Sequence, residues 1–83
     1  MMDEQIRRAL GEHGRMSLDV ASLGDDVDLY KAGMSSHATV NVMIALEEAF
    51  DVEFPDNMLR QSTFESIAAI RAALVELTSE RQG

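Results

Sequence analysis

Between Ser36 and Phe50 the sequence "SHATVNVMIALEEAF" places Val40, Val42, Met43, Ile44, Leu46 and Phe50 on more than one side of a single helix. A helix of that kind needs several neighbours to cover it. In a chain of 83 residues those neighbours must be short and close. The helix also has sharp limits. Ser35 stands where an N-cap belongs, and Phe54 before Pro55 is pushed out of the helical region.

The flanking sequence supplies the partners. From Asp3 to His13, the residues Ile6, Ala9, Leu10 and His13 share one helical face, Glu4 and Arg8 stand at i,i+4, and Gly14 is a stop. Ser62 and Glu65 match a capping box, which predicts a last helix from "STFE" to about Leu77 with Phe64, Ile67, Ile70 or Arg71, Leu74 and Leu77 on adjoining turns. Asp56 to Arg60 has room for one short helical turn. The stretch Arg15 to Met34 shows no clear period but carries Leu18, Val20, Leu23, Val27, Leu29 and Tyr30. It reads as an ordered loop with a helical turn, packed over the core; loops of this length in small domains often serve function. No strand is expected. The fold class is all-α: a four-helix bundle with three main helices, one short helix and a long first loop. Residues 1–83 form a single domain, its ordered core at about 3–78 and its tail "TSERQG" frayed.

Composition excludes several function classes. There is no cysteine, hence no disulfide framework and no thiolate chemistry, as in a cytoplasmic protein. "MMDEQIRRAL" lacks the apolar core of a signal peptide, and no apolar run approaches the roughly 20 residues that span a bilayer. The net charge of −8 repels phosphate backbones and anionic lipid, so the expected partners are neither nucleic acid nor membrane. From Asp19 to Asp56 the acids are Asp19, Asp25, Asp26, Asp28, Glu47, Glu48, Asp51, Glu53 and Asp56, against the single base Lys31. This distribution predicts an acidic face suited to a basic protein surface.

The reactive candidates are Ser35 and Ser36. A hydrolytic serine needs a base within reach and a group to orient that base. His37 adjoins Ser36 but helical neighbours do not face each other, and His13 is the only other histidine. The G-x-S-x-G pattern is absent. "DDVD" fails as a calcium loop, because the required glycine falls on Lys31, and no metal site is expected. Capping suits Ser35. Ser36 would then occupy the first helical position, exposed beside free N–H groups and the positive end of the helix dipole, where a phosphodiester is stabilised.

The run "LYKAGMSSHATVNVMIALEEAFDVEFPD" resembles the acyl carrier protein family, in which a "D-L-G-x-D-S-L" stretch opens the second helix. The likeness extends through "STFESIAAI" and covers most of the chain, and "ALEEAFDVEFPD" is its most specific part. The resemblance implies a non-catalytic carrier whose 4'-phosphopantetheine arm, derived from coenzyme A, is attached to Ser36 and holds an acyl or aminoacyl group as a thioester. It implies as partners a phosphopantetheinyl transferase, an acyl- or amino-acid-activating ligase and a downstream transferase, met by a monomer.

The departures are specific. Ser35 stands for the family's aspartate, His37 for its leucine, and Ala38 and Asn41 for acids of the exposed helix face; Glu47 and Glu48 remain. This pattern implies poor fit to the enzymes of general fatty-acid synthesis. The "GMSS" form with "EEAFDVEFPDN" is closer to short bacterial carriers charged with an amino acid by stand-alone ligases that resemble aminoacyl-tRNA synthetases. The implied docking residues are Ser35, His37, Asn41, Glu47, Glu48 and Asp51, with Met34 and Met43 as adaptable apolar contacts. Burial statistics favour ordinary core for Met43 over such a contact, and His37 reads equally as a solvated residue. An acidic helical interaction module without the arm, or a dimeric bundle, are the rival readings.

Overall fold

The computed structural model describes residues 2–14 and 19–82. The described residues form three α-helices joined by 3-10 turns, with no strand. The helices are α1 (Met2–His13), α2 (Ser36–Phe50) and α3 (Ile67–Gln82), and the turns lie at Val20–Ser22, Asp56–Met58 and Gln61–Thr63. The short fourth element is therefore two consecutive 3-10 turns. Arg60 separates them in an extended conformation, with φ −141° and ψ 159°.

Helix α1 starts with Asp3 and Glu4 in its first turn, where the helix dipole favours acids. It buries Ile6, Ala9 and Leu10. Arg8 pairs with Glu12 at 3.4 Å rather than with Glu4, which leaves Glu4 beside the positive helix start. Helix α1, not α2, packs closely against both other helices. Helix α2 buries Ala38, Val42 and Leu46, whereas Val40 and Ile44 are 50% and 45% exposed. Its apolar excess thus forms an outer stripe instead of a second packed face.

The core joins these helices to Leu23 and Leu29 of the first loop, to Met34, and to Phe54 and Phe64, whose rings sit 5.2 Å apart and tilted by 55°. From Val20 onward the backbone of the loop has partners. Arg7 Nη1 donates to the carbonyls of Val20 (2.7 Å) and Leu23 (2.9 Å). The Leu29 N–H donates to the Glu65 carbonyl (2.7 Å), and the Ala68 N–H donates to the Asp25 carbonyl (3.0 Å). Val27 turns outward, 38% exposed, in a bend closed by its N–H on the Gly24 carbonyl. Leu18 lies outside the described residues.

The start of α3 corrects the capping-box expectation. Ser66, not Ser62, accepts the Ala69 N–H (3.1 Å), and Ser62 lies within the 3-10 turn Gln61–Thr63. Phe64 and Glu65 precede the helix: Phe64 packs on Phe54, and the Glu65 carbonyl is taken by Leu29. The helix runs on to Gln82, past the Leu77 at which the apolar pattern suggested its end.

The acidic face is partly consumed inside the fold. Arg71 donates from Nε to Asp3 Oδ1 (2.7 Å) and from Nη2 to Asp25 Oδ2 (2.9 Å), while Arg7 reaches Asp25 Oδ1 at 3.3 Å. Asp28 Oδ1 accepts the N–H groups of Tyr30 (2.9 Å) and Lys31 (3.2 Å). Hydrogen bonding from Arg71 holds the Asp3 carboxyl below its ordinary range, and bonding to Asp3 and Asp25 raises the Arg71 guanidinium.

A carboxyl with a depressed folded pKa contributes stability that is complete above its unfolded value, about 4, and is lost as pH falls through the folded value. Asp3→Asn is therefore expected to lower the melting temperature at pH 7, and its difference from the parent to shrink below about pH 4. Thermal melts by circular dichroism across that range check it. A difference that persists undiminished at pH 2 would contradict this assignment.

Candidate functional site

Helix α2 begins where the sequence placed it, and the local geometry separates its two serines. Gly33 takes φ 116°, a conformation that a side chain strains, and it donates its N–H to the Tyr30 carbonyl at 3.1 Å. This bend delivers Met34 into the core at 2% exposure, with its N–H on the Leu29 carbonyl. Ser35 follows in an extended conformation as the N-cap, and its hydroxyl accepts the Ala38 N–H at 3.1 Å. The Ser35 carbonyl takes two further donors, the Thr39 N–H (2.9 Å) and the Thr39 hydroxyl (2.8 Å).

Ser36 is the first residue of α2 and is exposed. Its hydroxyl makes no hydrogen bond among the described residues. The N–H groups of the first turn that the cap leaves over point the same way, out of the helix end. An oxyanion ester on this hydroxyl would meet those donors and the positive end of the dipole. The residues present therefore fit a phosphodiester at Ser36.

A cleft of about 310 Å³ opens beside it. Ser36, Thr39, Val40 and Met43 form the α2 wall, and Leu59, Arg60, Gln61 and Phe64 form the opposite one, with Tyr30 at the floor of the loop side. The hydroxyls of Thr39 and Tyr30 lie 3.4 Å apart. Thr39 stands three residues after Ser36 and so shares its face, a relation that helical spacing makes visible. The opposite wall carries no such signal in the sequence.

The other expected contact residues divide. His37 and Glu48 are exposed on α2, Asn41 is half-buried, and Met43 is half-buried in the cleft. Met34 is core, too deep for a surface contact. Glu47 is half-buried, and its Oε2 accepts the Phe54 N–H at 2.9 Å. Its own carbonyl accepts the Val52 N–H (3.1 Å), and Asp51 closes the helix in the left-handed region at φ 53°. Glu47 is thus built into the turn that ends α2. No group of three or more metal-ligating side chains occurs among the described residues, nor any helix long and apolar enough to cross a membrane.

The model of the phosphopantetheine attachment site matches residues 4–71. The chain is a phosphopantetheine-binding carrier protein. Its cofactor is 4'-phosphopantetheine, bound covalently. An aminoacyl carrier protein of Agrobacterium fabrum (strain C58) is 48% identical over 69 residues, which span 83% of each chain. Among solved structures, the carrier fold recurs in a complex of engineered Bradyrhizobium japonicum glycine:[carrier protein] ligase with a carrier protein from Agrobacterium tumefaciens and ATP. That match has a TM-score of 0.89 and 43% identity over 93% of this chain and all of the other. A solution structure from Agrobacterium tumefaciens matches with a TM-score of 0.76 and 40% identity over 96% of each chain. The carrier tethers an acyl or aminoacyl group as a thioester on its arm.

Two stability predictions follow from the division of labour at this site. Ser35→Ala removes the cap and should cost about 1 kcal/mol, whereas Ser36→Ala should leave stability within about 0.5 kcal/mol. Glu47→Ala leaves the Phe54 N–H without its acceptor and should cost about 1–2 kcal/mol, and Glu47→Gln, which keeps a carbonyl acceptor, less. Urea unfolding of the unmodified protein measures all four. Equal effects at Ser35 and Ser36 would contradict the assigned cap.

Proposed function

We propose that Ser36 is the attachment point of the arm and that the cargo is an amino acid, loaded by a stand-alone ligase. The observation that carries the first half is the contrast between two adjacent hydroxyls: Ser35 is spent on the Ala38 N–H, and Ser36 is exposed with no partner among the described residues. The second half is supported by the 48% identity to an aminoacyl carrier protein and by the A. tumefaciens carrier crystallised with an engineered glycine:[carrier protein] ligase.

When bound, the arm supplies a terminal thiol that holds the cargo as a thioester. The chain supplies the rest. Ser36 gives the oxygen that receives the phosphate, and the first turn of α2 solvates its charge. The tether raises the effective concentration of cargo at a docked enzyme without any change in the carrier's own affinity. The carrier performs no bond chemistry on the cargo; a phosphopantetheinyl transferase, an amino-acid-activating ligase and a downstream transferase do so, on a cytoplasmic, monomeric carrier.

The contact surface around Ser36 is Ser35, His37, Asn41, Met43 and the outer acids Glu48 and Asp51. Glu47 contributes charge from behind, since its carboxylate is held by the Phe54 N–H. With few acids on the outer stripe of α2, recognition rests on Val40 and Ile44 as much as on charge.

Incubation with coenzyme A and a transferase of broad specificity is expected to add one arm to the parent and to Ser35→Ala, and none to Ser36→Ala, by intact-mass spectrometry. Further incubation with ATP, an amino acid and a ligase of this type should add a hydroxylamine-labile aminoacyl mass. Labelling retained in Ser36→Ala would overturn the attachment point, and labile fatty-acyl mass alone on carrier from its own cell would overturn the cargo.

A further inference from the structure

A net charge of −8 predicts acids around any site on this protein, but the described side chains that line the cleft beside Ser36 include none. The one charged group among them is Arg60. Arg7 pairs with Asp25, Arg8 with Glu12, and Arg71 with Asp3 and Asp25, whereas Arg60 has no carboxylate partner among the described residues. It is exposed, in the extended link between the turns Asp56–Met58 and Gln61–Thr63. Its guanidinium is nevertheless fixed, because Nε and Nη2 both donate to the Asn57 carbonyl, at 2.9 and 2.7 Å. The group has five N–H donors, and those on Nη1 make no hydrogen bond among the described residues.

We infer that Arg60 is a docking residue for the amino-acid-activating ligase, and that the ligase meets it with a carboxylate. The inference rests on the reading that such a ligase loads the arm on Ser36. A guanidinium already held by the backbone loses little freedom when a partner engages it, and a carboxylate fits its open donors in a charge-assisted pair. Leu59 and Val40 line the same cleft at 48% and 50% exposure, so an apolar side chain next to that carboxylate would find surface to cover. Arginine beside apolar surface is the composition of interface centres. The cleft is also continuous with the contact surface assigned to α2, since Ser36, Val40 and Met43 belong to both. The polarity reverses along that surface: Glu48 and Asp51 stand at the end of α2, and Arg60 faces the half that begins at Ser36. A partner that satisfies both must be basic toward the end of α2 and acidic at Arg60. A uniformly basic enzyme surface would be repelled at Arg60, so this residue selects among partners and sets the direction in which one docks.

The test uses full-length holo-carrier, in which intact mass has verified one arm on Ser36, with ATP, an amino acid and a ligase that loads the parent. Arg60→Glu is expected to raise the KM for the carrier about tenfold or more, with kcat within about twofold, and Arg60→Lys to stay near the parent. Lys31→Glu makes the same change in net charge at the chain's single lysine, which is also exposed, and should have a small effect. The double variant Lys31→Arg, Arg60→Lys moves that lysine to position 60. A zero-length carbodiimide should then couple it to an aspartate or glutamate of the ligase, mapped by peptide mass spectrometry. Parent-like loading of Arg60→Glu, an equal loss in Lys31→Glu, or a double variant that couples to no ligase carboxylate overturns the inference. A loss confined to attachment of the arm also overturns it, because Arg60 then serves the phosphates of coenzyme A. A parent that carries the arm and accepts no amino acid from any ligase sinks the cargo reading as well, so the two failures are distinguishable.

Discussion

The position of the site depends on how the first loop is fastened. Asp25 receives arginines from two helices, Arg7 of α1 and Arg71 of α3, while its carbonyl accepts the Ala68 N–H. A few residues on, Leu29 is buried and bonded through its N–H to Glu65. A segment fastened at Asp25 and again at Leu29 has little freedom left when it reaches Gly33, and the bend there sets the angle at which α2 begins. The charged contacts are partly exposed and individually modest. Their importance is geometric: they convert a connection without a period of its own into a rigid approach to Ser35.

The limits of α2 were legible in the sequence because they are local. Ser35 as cap, the apolar run, and the break before Pro55 all act within a few residues of one another, and the structure has α2 at Ser36–Phe50. The start of α3 was misread for the opposite reason. Ser62 and Glu65 satisfy a local pattern, but Phe64 is drawn onto Phe54 and Glu65 is claimed by Leu29, so the helix waits until Ser66. The tertiary partners outweigh a cap worth about 1 kcal/mol.

The same distinction governs the site. The unequal roles of Ser35 and Ser36 follow from their places at a helix end and could be anticipated. The opposite wall of the cleft, from Leu59 to Phe64, could not, because nothing in the spacing relates it to Ser36. Nor could the fate of Glu47, whose acceptor role depends on a backbone N–H seven residues on. Counting acids along α2 overstates what a partner meets. The fold keeps one of the two carboxylates for its own turn and presents Val40 and Ile44 beside the other.

Ser35 and Ser36 are chemically alike in an unfolded chain, two primary alcohols one peptide apart. Only the winding of α2 breaks that equivalence, by occupying one and abandoning the other. A catalyst that acts on just one of them is offered, by the fold, one hydroxyl already engaged and one still open to it.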